Sequence, residues 1–201
     1  TDVNGLISLA NGLQFKYSVG RASPNYTLPT ASGLLTKELI TLNAGNTDEQ
    51  LLMQGGGSVQ GSNGVLSNLW NQSLLVAANA NIILENLDIV ADQGTKGGLQ
   101  AHASLFKALA FGNLAMFWEQ APISTGANAP FVPREDVLNE AISILEAASA
   151  ELAKAPLSLA FTSGMASRID VPSGIDYANA LNVLIARYAL FVGEYDKAIS
   201  A

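Results

Sequence analysis

The side chains most able to do chemistry cluster on one apolar stretch: His102, the chain's one histidine, with Ser104 and Lys107 close by. An imidazole is a common general base and metal ligand. No second histidine stands at metal-ligand spacing, so a zinc site is not supported. The chain has no cysteine, which excludes disulfides, thiolate metal sites and cysteine nucleophiles. Ser104 and Lys107 lie within a helical turn of each other, but no elbow motif or third partner makes them a nucleophile constellation. Gly55–Gly57 is not followed by the Gly-Lys-Ser or Gly-Lys-Thr of a phosphate loop. Paired carboxylates for glycoside cleavage need a defined separation. Asp48 and Glu49 are neighbours, and Glu119 stands far away in sequence. The residues therefore point to a protein that is not an enzyme, and they imply no cofactor and no metal. His102 reads as a packed or surface residue.

Composition narrows the partners. With 10 basic against 17 acidic residues the net charge is −7 and the isoelectric point is about 4.5. Phosphate backbones demand clustered Lys and Arg, and the ten here are scattered, so nucleic acid is not expected. Apolar residues make up 49% and charged ones 13%. The surface must then rely on Asn, Gln, Ser, Thr and Gly, which hydrogen-bond without strong fields and suit neutral ligands such as sugars. At 201 residues the chain fits one domain with a real core. It opens at Thr1 without Met, signal peptide or lipobox, and the expectation is of a targeting segment that is not shown.

Apolar periodicity predicts an all-helical fold. Leu99, Ala103, Phe106, Ala110, Leu114 and Phe117 fall at three- and four-residue steps. Leu105, Leu109, Met116 and Trp118 cover much of the remaining circumference. Gly98–Ile123 is thus expected to be a central helix, buried on most sides and stopped by Pro122. A first helix is expected over Asp2–Val19, a short one around Leu34–Leu42, and a long one over Leu66–Val90. The 92–98 glycines are read as a tight link that makes the two long helices antiparallel. Arg134–Lys154 is amphipathic, with its early acids matched to the helix dipole. Ile175–Phe191 is a further helix. Loops are expected at Arg21–Thr30, Asn43–Asn68, Ser124–Pro133 and Pro156–Pro172. Asn81, inside an apolar stripe, needs a hydrogen-bond partner and is expected to bridge to a neighbouring loop or helix.

Two motifs carry a family resemblance. The central stretch resembles the signature helix of the SusD/RagB family. Lys107-Ala108 stands where that family usually has Arg-Ala. Leu109–Phe117 is the apolar run, Trp118-Glu119 replaces an aromatic and Gly, and Ala121-Pro122-Ile123 takes the place of Val-Pro-Leu. In the preceding helix, Trp70 and Asn81-Ile82-Ile83 match the family's Trp and Asn, while Leu74 and Ala77 replace its Tyr and Ile. Ala180–Ala201 resembles a tetratricopeptide repeat: Ile185-Ala186 on the first helix, then the turn with Gly193, Tyr195 and Ala198. The glycine permits a sharp turn, the tyrosine would wedge the helices, and the alanine permits close approach.

The resemblance implies a single helical domain of antiparallel helices, tetratricopeptide-like helix-turn-helix units and long irregular loops. It also implies that 1–201 is the N-terminal part of a longer protein. It implies a lipoprotein on the outer membrane's extracellular face, lipid-anchored through a segment not present here. Such a protein captures oligosaccharides or another nutrient for a SusC-like TonB-dependent transporter. The family's glycan contacts draw partly on the loop before its Trp helix. Since rings stack on sugar faces and amides read hydroxyls, Tyr26, Gln60, Asn63, Trp70 and Asn71 form the available set. Gln60, Asn63, Trp70 and Asn71 are the ligand-binding candidates, with Trp70 read first as a core residue and second as a sugar platform. The alternative is a helical-repeat module that binds another protein and no glycan. An incomplete last repeat would leave an apolar face in water, to be covered by later residues or by self-association.

Overall fold

The computed structural model describes residues 2–43, 45–165 and 174–201. Among them are nine α-helices and one two-stranded hairpin: α1 (Val3–Ser18), α2 (Pro24–Leu35), α3 (Thr47–Gln54), α4 (Gly64–Leu84), α5 (Gln93–Phe117), β1 (Gln120–Pro122), β2 (Phe131–Pro133), α6 (Arg134–Leu152), α7 (Leu159–Gly164), α8 (Tyr177–Val192) and α9 (Tyr195–Ser200). No helix among the described residues is long and apolar enough to cross a membrane.

The predicted central helix is α5, and it packs against α1, α4, α6 and α8. Its bounds differ from expectation at both ends. It begins at Gln93, capped by the Asp92 carboxylate, which accepts from the Thr95 amide at 2.7 Å. The glycines read as a link lie inside its first turns. They are there for packing rather than for turning. A Cβ on Gly98 would sit 2.5 Å from the Phe161 ring, and one on Gly94 would collide with the Pro156 carbonyl. Only a bare backbone lets α7 and the chain before it lie this close. At the other end α5 stops at Phe117, with Trp118 already extended, so Pro122 sits in β1 and does not terminate the helix.

The expected loops hold more structure than predicted. Arg21–Thr30 contains the start of α2. Ser23 caps that helix and Pro24 occupies its first turn, where a missing N–H costs nothing. Pro29 frees only the carbonyl of exposed Asn25. The short helix expected at Leu34–Leu42 is instead the end of α2, which stops at Leu35. Asn43–Asn68 contains α3, whose acidic first turn suits the dipole. Buried Leu52 of α3 joins Ala31, Leu34 and Val65 in a small second core. α4 ends at Leu84, short of Val90, and a 3-10 turn follows over Leu87–Ile89. The expected Ser124–Pro133 loop ends in β2, which pairs antiparallel with β1 in the register Gln120↔Pro133, Ala121↔Val132, Pro122↔Phe131. α7 falls within the Pro156–Pro172 loop, and the loop's last seven residues lie outside the described residues.

Two buried polar anchors fix α5 to its neighbours. His102 is 0% exposed. Its Nε2 faces the Ala10 carbonyl of α1 and its Nδ1 faces the Tyr177 hydroxyl of α8, both at 2.9 Å. A carbonyl only accepts, so Nε2 carries the proton and the bare Nδ1 accepts from Tyr177. On the same side, the Tyr188 hydroxyl donates to the Ala108 carbonyl at 3.0 Å. α8 then turns into α9 at Gly193, whose φ of +81° places it in the left-handed region. This is the predicted helix-turn-helix. Tyr195, however, does not wedge the two helices: it is 64% exposed. Ala198 does pack against the core.

Candidate functional site

The last turn of α5 and the hairpin that follows it bring aromatic rings from three elements together. Trp70 projects from α4, Phe117 and Trp118 close α5, and Phe131 opens β2. Phe131 stacks on Trp70 with ring centroids 5.8 Å apart and planes 16° from parallel. Trp118 meets Trp70 edge-on, at 4.9 Å and 70°. Phe117 leans on Trp118 at 5.9 Å. Such edge-to-face and offset contacts suit the ring quadrupoles. The two tryptophans are half-buried, while Phe131 is 58% exposed. The ring offered to solvent is therefore Phe131, with Trp70 as its backing.

Local structure explains why these rings meet. Trp70 lies in the second turn of α4, which begins at a strong cap. Asn63 Oδ1 accepts from the amides of Val65 and Leu66, and Asn63 Nδ2 donates to the Asp48 carbonyl at 2.9 Å. The loop carrying Phe131 is tied back to α4 by Asn81, whose Nδ2 donates to Thr125 Oγ1 at 3.2 Å. That is the bridge expected of Asn81. The Arg134 amide donates to the Glu119 carbonyl at 2.9 Å and closes the hairpin's base.

The sequence-predicted residues divide by position. Trp70 is at the centre of the stack. Asn71, beside it on α4, is exposed, and so is Gln60 in the turn before α4. Neither side chain has a hydrogen-bond partner among the described residues. Asn63 is buried, and both its amide atoms are committed to the cap and to Asp48. Tyr26 sits elsewhere, on α2, with the Arg21 guanidinium 5.5 Å from its ring centre. Trp118 and Phe131 were not among the predicted site residues. The available signal for Phe131 was an aromatic between Pro130 and Pro133 in a stretch otherwise poor in large side chains.

His102, Ser104 and Lys107 are buried. Burial holds His102 down at about 4, against the smaller opposing effect of its bond to Ala10, so the ring is neutral. Burial also lowers the Lys107 ammonium, opposed by the charges of Glu140 and Glu85. Its Nζ lies 5.5 Å from the centre of the Phe111 ring. Among the described residues no group of three or more His, Cys, Asp or Glu could hold a metal ion.

The chain is an all-helical array with a helix-turn-helix at its end and an exposed aromatic stack beside the hairpin. No protein-family model matches the sequence, and no curated protein matches it. Two solved structures are similar in fold. One is a SusD superfamily protein from Bacteroides vulgatus ATCC 8482, with a TM-score of 0.65 and 12% identity over 96% of this chain and 41% of that one. The other is a SusD-like carbohydrate-binding protein from Bacteroides fragilis NCTC 9343, with a TM-score of 0.57 and 15% identity over 89% of this chain and 39% of that one. The chain has a SusD-like fold, as the two motifs implied, and spans about two fifths of the length of each neighbour.

Proposed function

We propose that this protein binds glycans, with Phe131 as the stacking ring and Trp70 and Trp118 as its support. One observation carries this reading: a half-exposed ring, Phe131, held nearly parallel to Trp70 of the capped helix α4. A sugar's C–H face needs such a flat apolar surface, and its hydroxyls need amides nearby. Exposed Gln60 and Asn71 supply unpartnered amides on the same helix and the turn before it. Asn63 serves the ligand by fixing the start of α4. The SusD-like fold and the carbohydrate-binding description of the B. fragilis neighbour support the ligand class.

On the same reading, the chain is part of a longer lipoprotein on the extracellular face of the outer membrane. There it captures oligosaccharides for a SusC-like TonB-dependent transporter. Recovery of such a barrel with the lipidated full-length protein from solubilised membranes tests the partner, and repeated failure to recover one overturns it.

The ligand test is optical. Trp70 and Trp118 are the two tryptophans of residues 1–201, and both belong to the stack, so the part of the emission that Trp70→Phe and Trp118→Phe remove reports on the site. Titration of the full-length protein with neutral oligosaccharides should change that emission, and Phe131→Ala should weaken binding by about tenfold. Calorimetry with Asn71→Ala gives the amide's share. Unchanged affinity in Phe131→Ala refutes the assignment.

A further inference from the structure

A concavity separate from the aromatic stack lies where the ends of α5, α6 and α8 converge. It encloses about 440 Å³ and is lined by Ala115, Met116, Leu138, Phe191 and Val192, with Arg134 and Glu135 at its edge. That size suits a small ligand. Arg187 touches two of the lining residues, its Nη2 3.5 Å from Met116 Sδ and its guanidinium carbon 5.8 Å from the Phe191 ring centre. Among the described residues neither Arg134 nor Arg187 has a carboxylate within salt-bridge distance, although other cations do: Arg21 pairs with Glu49, Lys154 with Glu151, and Lys197 with Glu146 and Glu194. In a chain of net charge −7, two guanidinium groups without carboxylate partners, against the single carboxylate of Glu135, leave this apolar hollow with positive charge to offer a ligand.

We infer that this cleft binds a single sugar unit bearing a carboxylate, a hexuronate. The carboxylate meets Arg134 and Arg187, whose planar donors match its two oxygens. The ring's C–H face lies on Phe191, which is 56% exposed, and against Met116 and Leu138. Glu135 selects between a sugar acid and a plain hydrocarbon acid. A hydrocarbon body set beside Glu135 would desolvate its carboxylate without replacing the lost hydrogen bonds. Sugar hydroxyls donate to it instead. Glu135 also opposes a second negative charge, which limits the ligand to a monoanion. The inference rests on the glycan reading for its ligand class only, because its residues are not those of the aromatic stack.

The test uses the full-length protein labelled with ¹³C at the methionine methyl groups, with Met116 assigned by Met116→Leu. Methyl β-D-glucuronide is the probe, methyl β-D-glucoside its neutral counterpart, and cyclohexanecarboxylate the hydrocarbon acid. The Met116 methyl should shift with the glucuronide, while those of Met53 and Met165 stay in place. The glucoside should bind at least tenfold more weakly, and so should the hydrocarbon acid. Arg187→Gln and Arg134→Gln, both exposed and checked for native circular dichroism, should each weaken glucuronide binding by about tenfold. The proposal is overturned by a still Met116 methyl, by equal shifts with glucoside, by tighter binding of the hydrocarbon acid, or by full affinity in both arginine variants. Retained binding of neutral oligosaccharide at the aromatic stack would show that this failure is separate from that of the glycan reading.

Discussion

Acidification should loosen this fold through His102 at a pH where few other groups titrate. In the folded protein the imidazole is buried and neutral, held at about 4 against an ordinary value of 6.5. A depressed histidine value means that the unfolded chain takes up the proton first. The stability is therefore full above pH 6.5 and is lost as the pH falls through the window from 6.5 to 4. Over the whole window the 2.5-unit difference amounts to about 3 kcal/mol at ~1.36 kcal/mol per unit. Between pH 7.5 and 5.0 the same linkage gives about 2 kcal/mol. The carboxylates held low by their hydrogen bonds, Asp92 and Glu151, lose their contributions only at more acidic pH.

The assay is urea unfolding at pH 7.5, 6.5, 5.8 and 5.0, for the native protein and for His102→Gln. Glutamine keeps a donor and an acceptor but does not titrate. It lowers stability at pH 7.5 through imperfect geometry at Ala10 and Tyr177, and that offset is constant with pH. The native protein should lose about 2 kcal/mol more than the variant between the extremes. If the two stabilities fall in parallel, the proton balance at His102 is not the cause, and the neutral bridge between α1 and α8 has been misread.

Two further outcomes follow from the packing. Asn63→Ala removes the cap of α4 and the hydrogen bond to the Asp48 carbonyl, which should cost about 1–2 kcal/mol and lower the melting temperature by several degrees; calorimetric melting checks it, and an unchanged transition contradicts the cap. The outer face of α8 and α9 exposes Val183, Leu190 and Ile199, the last 84% exposed, so a longer chain that covers it should melt higher and self-associate less than 1–201 alone. Covering a few hundred Å² at ~25 cal/mol per Å² is worth several kcal/mol. Equal melting and monomeric sedimentation of both lengths would deny that this face has a partner.

Legibility followed the length of the apolar pattern. α5 and α6 were readable because each buries a face over three or more turns: Leu99, Ala103, Phe106, Ala110 and Leu114 in one, Val137, Ala141, Leu145 and Ala148 in the other. α3 was not, since a helix of two turns buries one residue, Leu52, and one residue has no period. α2 was hidden by its prolines, which read as breakers although Pro24 starts the helix. The glycines at 94, 97 and 98 look the same in sequence whether they turn the chain or admit a neighbour. Only the Phe161 ring lying on Gly98 decides between the two. The buried state of Leu184 and Tyr188 against α5 and α6 likewise needed the fold. The partnerless face is the opposite one, with Val183, Leu190 and Ile199.

The candidate sites escaped the sequence for a related reason. Both are built where α5 ends, by residues that belong to no common period. The last turns of α5 give Met116 to one site and Phe117 and Trp118 to the other. Strands of three residues then carry Phe131 to the aromatic stack, and the first residue of α6 places Arg134 at the cleft. The hairpin register sets both placements at once, because Pro122↔Phe131 and Gln120↔Pro133 fix where β2 starts and where α6 begins. α5 is buried along nearly its whole length and anchored to α1 and α8 through His102. Side chains mounted at its end inherit that rigidity, which a stacking platform requires if little ordering entropy is to be lost on binding. The Asn81–Thr125 hydrogen bond extends the same constraint to the loop that carries Phe131.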